Sequence, residues 1–352
     1  MIQIDGSYGE GGGQILRTSL SLSVLTGQPI EIERIRAGRS KPGLKAQHLA
    51  AVQAAAALSA AQIEGAELGS QRLRFTPLCA AAPGEYHFAI GTAGAATLVA
   101  QTVLLPLALA GEPSRVTITG GTHVPFAPTA EYLEHVYLAA LRRLGLRVAL
   151  TMPMAGFFPR GGGKIVLEIE PSVLSPVTMT KRGTHLAIKA HIVTSGLPPT
   201  VGVRGAEAVQ GALGKFKAEL TTEVRDLPSP GQGAAITLVA ECESGPVGFS
   251  AIGERGKRIE TVAAEACAEF EAWHAAKAAC DDHLADQLAL PFALTAGESR
   301  WSVSRVTEHL RSVLWLLPQF LPLTVEIQQE KSAVGTVSMI SRGLPGKQQY
   351  FG

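Results

Sequence analysis

His309 stands in Arg305-Val306-Thr307-Glu308-His309-Leu310-Arg311, just ahead of a long apolar run. Far upstream the chain carries Gly9-Glu10-Gly11-Gly12-Gly13-Gln14 and a basic stretch from Arg34 to Lys45. A glycine-rich turn suited to phosphate, a cationic surface and an isolated imidazole together point to nucleotidyl chemistry. Thr307 reads as an N-cap, which puts His309 in the first turn of a helix. There the helix dipole disfavours imidazolium, keeps a neutral ring nitrogen available, and would favour a phosphate carried on that nitrogen. A lone histidine is more often structural than catalytic, and position is what sets this one apart.

The glycine cluster follows a strand and precedes a helix opening with Gln14-Ile15-Leu16-Arg17, where backbone N–H groups can hold phosphate. It fits neither GxGxxG nor GxxxxGK[ST], so a tight turn and a phosphate cradle both stay open. Glu10 favours the cradle. A carboxylate there repels phosphate unless a divalent cation bridges them, which makes Glu10 a candidate magnesium or manganese ligand. Between Arg34 and Lys45 lie Arg36, Arg39 and Lys41 with no acidic residue. Such a run is either a solvated face or an anion site; its loop leads into a helix bearing Gln47 and His48, so the cations converge on a second helix N-terminus, with RNA or a triphosphate as natural ligands. Gln101 interrupts an apolar helix, as a structural hydrogen-bonding group or as a pocket-facing amide. Cys280 and His283 lack a second ligand pair, so zinc is not expected.

The elements that must position these residues alternate along 352 residues, enough for two or three domains. With 46% hydrophobic and 17% charged residues the chain is an ordinary globular protein rather than a disordered one. A net charge of +1 gives no global field, so any nucleic-acid contact must be local. Cys79, Cys242, Cys267 and Cys280 form no CxxC pair, which argues against a disulfide framework and fits a reducing cytoplasm. The N-terminus reads as a first strand, not a secretory signal. The apolar stretch 98–110, broken by Gln101 and Pro106, is too short to span a bilayer, so no membrane partner is expected.

Strands are expected at 30–35, 72–76, 86–90, 115–119, 147–151 and 164–170, and helices at 44–61, 97–108 and 131–144, an α/β pattern. The character changes after about residue 183. Strands at 186–194, 235–243 and 248–252 and helices at 206–218 and 259–279, punctuated by proline- and glycine-rich loops at 195–200 and 226–234, read as a smaller insert. The domain division expected is therefore 1–183 plus 280–340 around an inserted α/β domain at 184–279. The first pattern resumes over 281–294 and in a strand at 323–328, and 341–352 is expected to be a loose tail.

The blocks Gly9 to Arg17, Ile35-Arg36-Ala37-Gly38-Arg39, Lys41-Pro42-Gly43-Leu44, Gln47-His48-Leu49, Gly65 to Ser70, Gly156-Phe157-Phe158-Pro159-Arg160-Gly161-Gly162-Gly163 and Leu284-Ala285-Asp286-Gln287 resemble RNA 3′-terminal phosphate cyclases. The resemblance runs essentially end to end. It implies a large domain of repeated βαβαββ units akin to enolpyruvylshikimate phosphate synthase, with a small α/β insert. It also implies ATP-dependent conversion of an RNA 3′-phosphate to a 2′,3′-cyclic phosphate through a covalent AMP on His309, with the metal on Glu10. By the same resemblance Arg17, Arg39, Lys41, Gln47 and His48 would line the phosphate and RNA-end region. Gln101, Pro128, His283, Leu284, Ala285, Asp286 and Gln287, together with Arg17 and Arg39, would contact the nucleotide. Two departures stand out. Ala155 precedes Gly156 where Arg or His is usual, and His283 takes the place of a common tyrosine, keeping a stacking ring but losing a phenol hydroxyl. A catalytically silent relative lacking the histidine, an RNA-end binding protein and an enolpyruvyl-type transferase are the alternatives. The sequence does not specify an oligomeric state.

Overall fold

The opening residues set a pattern that the chain uses three times. In the computed structural model, which describes residues 1–329 and 334–344, the first unit runs β1 (Ile2–Asp5), α1 (Gly13–Thr26), β2 (Ile30–Glu33), α2 (Ala46–Ser59), β3 (Gln62–Glu64) and β4 (Leu73–Thr76). Its sheet has the order β1-β2-β4-β3, with β1 and β2 parallel and the other pairs antiparallel. Alternation in β2 explains the layering: Ile30 and Ile32 are sealed in the core, while Glu31 on the other face takes Gln3, Arg72 and Arg74. Small residues on α2, Ala51, Ala54 and Ala55, are buried and permit close helix packing.

The second unit repeats this order as β5 (Glu85–Ala89), α3 (Ala96–Ala108), β6 (Ser114–Gly120), a helix in three parts, β7 (Arg147–Met154) and β8 (Gly163–Glu170). The composite helix comprises α4 (Ala130–Tyr132), a π-helical stretch Leu133–Leu138 and α5 (Ala139–Arg143). Sheet order β5-β6-β8-β7 matches the first unit strand for strand.

The third unit is opened by β9 (Thr178–Met179) and then interrupted. β10 (His185–Ser195), α6 (Pro199–Leu213), β11 (Glu219–Asp226), β12 (Gly233–Cys242), β13 (Gly245–Ile252) and α7 (Ile259–Ala276) follow, and their strands form a separate sheet of order β11-β10-β12-β13. The unit then resumes with α8 (Asp282–Gln287), α9 (Ala289–Ala293), β14 (Ala296–Val303), α10 (Glu308–Leu316), a 3-10 turn Leu317–Gln319, β15 (Leu323–Gln328) and β16 (Gly335–Arg342). Reading β9-β14-β16-β15 recovers the same strand order and the same parallel first pair. The α/β class expected from the sequence pattern and the repeated βαβαββ units implied by the family resemblance are present.

Several elements depart from the sequence reading. β11, β14 and β16 were not expected. β11 alternates charged residues at an edge, and β14 contains Ala296-Gly297-Glu298-Ser299, whose weak strand propensity is overridden by pairing with β16 along its whole length. The expected loop 195–200 gives way to helix at Pro199, a residue suited to a first helical turn. α7 stops at Ala276 rather than 279 because Lys277 turns left-handed, φ +63°. The loose tail expected over 341–352 does not start at 341: Ser341 and Arg342 pair with Gly297 and Ala296, and residues 345–352 lie outside the described residues.

Candidate active site

Gly9 and Gly11 adopt φ +58° and +56°, conformations that strain any side chain, and so bend the loop between β1 and α1. The bend brings it against the turn after β2: Gly38 N–H donates to Gly11 O at 3.2 Å, and a Cβ on Gly11 would come within 2.7 Å of Gly38 N. Arg39 is thereby laid on Glu10 as a close ion pair. α1 starts directly after Gly12 without a side-chain cap, leaving its first N–H groups free for an anion.

α10 brings the histidine to the same place. Thr307 Oγ1 accepts from Leu310 N–H at 3.1 Å, so Thr307 is the N-cap and His309 sits in the first turn, as its sequence position indicates. Tyr8 stacks on Trp315 with ring centroids 4.0 Å apart, fastening the helix to the glycine loop. His309 Nδ1 lies 2.6 Å from Gln14 Oε1, and the Gln14 side chain is also hydrogen-bonded to Asp286. With its oxygen on the ring, the amide turns its nitrogen to Asp286. Nδ1 therefore carries the proton and Nε2 the lone pair. Burial, then the charges of His283, Arg39 and Arg17, push the imidazole down to about 4, so the neutral form prevails at neutral pH.

Nε2 faces Glu10 Oε2 at close range, yet that buried carboxylate oxygen has no hydrogen-bond partner among the described residues. Two acceptors opposed in this way call for a proton or cation between them. A single carboxylate suits a divalent ion that takes its other ligands from phosphate oxygens and water. Among the described residues no group of three or more His, Cys, Asp or Glu side chains could hold a metal unaided.

His309 and Glu10 form part of the wall of a cavity of about 800 Å³, completed by His283, Asp286 and Arg305 and, from the inserted segment, by Phe249, Glu269 and Trp273. Its carboxylates are largely offset. Asp281 caps α8 by accepting from His283 and Leu284 N–H and also takes Gly248 N–H and the Tyr132 hydroxyl. Asp282 pairs with Arg305 at 2.9 Å. Burial raises Asp286 to about 7, making it substantially protonated at neutral pH.

A family model described as RNA 3′-terminal phosphate cyclase matches residues 8–327. An RNA 3′-terminal phosphate cyclase of Nostoc punctiforme is 43% identical over 350 residues, covering 97% of this chain and 100% of that one. Proteins of the same description from Methylococcus capsulatus and Pyrobaculum neutrophilum are 42% and 43% identical, covering 96% and 93% of this chain and 96% and 95% of their own. The chain belongs to the RNA 3′-terminal phosphate cyclase family. Among solved structures, the enolpyruvyl transferase NikO from Streptomyces tendae aligns at TM-score 0.29 and 17% identity over 49% of this chain and 33% of that one, too distant to bear on the fold.

Of the residues that the cyclase resemblance singles out, His309, Glu10, Arg39, Arg17, His283 and Asp286 gather around the cavity or its glycine-loop wall. Burial lowers Arg17 to about 10, still charged at neutral pH. His48 sits behind Gly13: a Cβ there would collide with His48 Nε2 and lie 3.0 Å from Arg17 Nη1. His48 Nδ1 accepts from Lys45 N–H at 3.2 Å, and burial beside Arg17, Arg36 and Lys45 pushes it down to about 3, so it is a neutral donor through Nε2. Gln47 Oε1 takes Ala95 N–H at 2.9 Å, tying α2 to the start of α3.

Other residues are placed elsewhere. Leu284 and Ala285 are fully buried in the core, and Gln287 is not on the cavity wall. Pro128 offers its carbonyl to Thr97 at 2.9 Å, and Gln101 lies on α3 with a buried amide nitrogen that has no partner among the described residues; neither lines the cavity. Lys41 is exposed. The basic run is less cationic than its sequence: Arg34 pairs with Asp5, and Arg36 is buried and donates to Lys41 O and Gly43 O, both at 2.8 Å. Ala155 is fully buried with Phe157 and Val193, a packing position. Gln14 stands within the glycine block, but its role is not legible there because its partner lies 295 positions away.

Proposed function

We propose that this protein converts an RNA 3′-terminal phosphate to a 2′,3′-cyclic phosphodiester, using ATP and a covalent AMP on His309. The observation that carries the reading is the hydrogen bond from His309 Nδ1 to Gln14, which leaves Nε2 as a neutral nucleophile at a helix N-terminus. His309 Nε2 attacks the α-phosphorus of ATP, forming the N–P bond as the bond to pyrophosphate breaks. An oxygen of the RNA 3′-phosphate then displaces the imidazole, so AMP passes to the RNA end. Finally the vicinal 2′-OH attacks the terminal phosphorus and AMP leaves. A phosphate monoester has no good leaving group; adenylylation supplies one while the neighbouring hydroxyl already stands in place.

Arg17, Arg39 and the bare start of α1 hold phosphate charge, and His48 supplies a neutral N–H donor behind Gly13. Glu10 would hold the divalent ion, which offsets charge on phosphate oxygens when bound. Residues 1–183 and 280–340 are proposed to carry the chemistry and 184–279 to form an inserted domain, supported by its separate sheet and by its contribution of Phe249 and Trp273 to the cavity wall. Four free cysteines fit a cytoplasmic setting, and among the described residues no helix is long and apolar enough to cross a membrane.

The test is an RNA oligonucleotide labelled in its 3′-phosphate, incubated with protein, ATP and a divalent metal. The label is expected to become resistant to phosphatase only when ATP is present. Label that stays phosphatase-sensitive under every metal condition contradicts the reading and leaves an RNA-end binding protein.

A further inference from the structure

The geometry points to a second nucleotide subsite, the cavity between Lys45 and Phe158, which takes the nucleotide immediately 5′ of the RNA end by stacking its base on Phe158 and pairing its phosphate with Lys45. This rests on the reading of RNA as the substrate and adds to it a place for the chain behind the reacting end.

Two successive phenylalanines in the loop between β7 and β8 have opposite fates. Phe157 is 2% exposed, stacks on the His123 ring at 5.0 Å and accepts from Gly161 N–H at 2.7 Å. Phe158 is 66% exposed and does no work in the core. The turn carrying it is nonetheless fastened: Arg160 donates to Pro230 O at 3.0 Å, and a Cβ on Gly161 would lie 2.6 Å from the Ala93 Cα. A large aromatic face held on an anchored turn is a stacking platform of the kind single-stranded RNA uses.

What it faces is chemically apt. Phe158 and Pro159 line a cavity of about 350 Å³ with Lys45, Gln47, Thr92 and Gly94. Lys45 is the residue before α2 and is exposed, and among the described residues it forms no ion pair, so its ammonium can meet a phosphate. Gly94 is required for the approach, since a Cβ there would come within 2.9 Å of Gln47 Cβ. An apolar face beside a single cation suits a nucleotide better than an apolar peptide or a small acid.

The start of α2 links this cavity to the glycine loop of the active site. Arg39 touches both Glu10 and Gly12, and His48 abuts Gly13. Lys45 lies three residues before His48, at the N-cap of α2, about 4.5 Å along the helix axis. An RNA whose terminal phosphate lies at Arg39 and His48 therefore has its next nucleotide within reach of Lys45 and Phe158.

The experiment measures Kd for 3′-phosphorylated ribo-oligonucleotides of one, two and three nucleotides, with 3′-hydroxyl counterparts as reference. For the unaltered protein the second nucleotide is expected to tighten binding about tenfold. Phe158→Ala should abolish that gain and Phe158→Trp should keep it. Lys45→Ala should weaken the two- and three-nucleotide ligands and flatten their salt dependence. Equal length dependence in Phe158→Ala and the unaltered protein overturns the subsite, as does a uniform loss at all lengths that Phe158→Trp fails to recover. Equal binding of 3′-phosphate and 3′-hydroxyl ends is a separate outcome: it would count against the terminal-phosphate reading and leaves the length dependence to judge the subsite.

Discussion

Gln14 Oε1 and His309 Nδ1 meet at 2.6 Å across 295 positions of sequence, so the first helix of the chain sets the tautomer of a histidine near its end. The glutamine is itself held by Asp286. Removing it leaves Nδ1–H without its acceptor and the ring free to turn. Gln14→Leu is expected to slow formation of the AMP adduct about 10- to 100-fold, the effect of losing one orienting hydrogen bond in a half-buried site. Single-turnover transfer of label from α-labelled ATP measures it, and an unchanged rate would remove Gln14 from the account.

The pH dependence follows from the direction of the His309 shift. Because the ring is pushed down to about 4, its neutral form persists well below the usual histidine range. The acidic limb of adduct formation should therefore fall off towards pH 4 rather than near 6.5, the unperturbed histidine value. Gln14→Glu keeps an acceptor at Nδ1 but adds negative charge, which favours imidazolium and should move that limb upward. A limb unmoved by this substitution contradicts the contact.

Stability responds to pH in two opposed ways. His48 and His191 are buried and pushed down to about 3 and about 4, so the unfolded chain binds more protons below 6.5. Their contribution is complete above 6.5 and is lost as pH falls towards the folded values. Asp286, raised to about 7 from 3.8, holds a proton in the fold that the unfolded chain releases, so its contribution declines as pH rises from 3.8 to 7. The difference in Tm between Asp286→Asn and the unaltered protein should therefore grow with pH over that interval and level off above it. A flat difference would show that Asp286 ionises normally.

Gly11 joins the glycine loop to the turn bearing Arg39. Its φ of +56° and the 2.7 Å that would separate a Cβ from Gly38 N leave an alanine no room without moving backbone. Gly11→Ala is expected to cost about 1–3 kcal/mol in denaturant unfolding and to weaken the Arg39–Glu10 pair. A stability unchanged within error would mean the loop relaxes freely.

For Glu10→Ala the expected result is slower adduct formation with a metal titration displaced to higher concentration. An unmoved titration midpoint would separate Glu10 from the metal.

Much of this was legible in local sequence. Thr307 announces the helix start, and with it the first-turn position of His309; the strand and helix periodicities give the α/β class, while the βαβαββ repeat comes with the family resemblance, since β3 spans only Gln62–Glu64. Gln14 and the cavity wall were not legible, because both depend on distant pairings. Phe249, Glu269 and Trp273 carry no motif, yet the insert brings them opposite His309. Leu284 and Ala285 show the converse. The segment 284–287 reads as a binding motif, while in the fold α8 turns those two side chains into the core and presents Asp286 and its neighbour His283 to the cavity. β14 is not legible in the sequence because its strand character comes from β16 and not from its own residues.

The central claim is that His309 Nε2 accepts AMP. Protein incubated with ATP labelled at the α-phosphate and a divalent metal should acquire covalent label that is labile to acid and stable to base, mapping to the peptide containing His309. His309→Ala should acquire none. Equal labelling of the two proteins, or label mapping to another residue, would contradict the assignment.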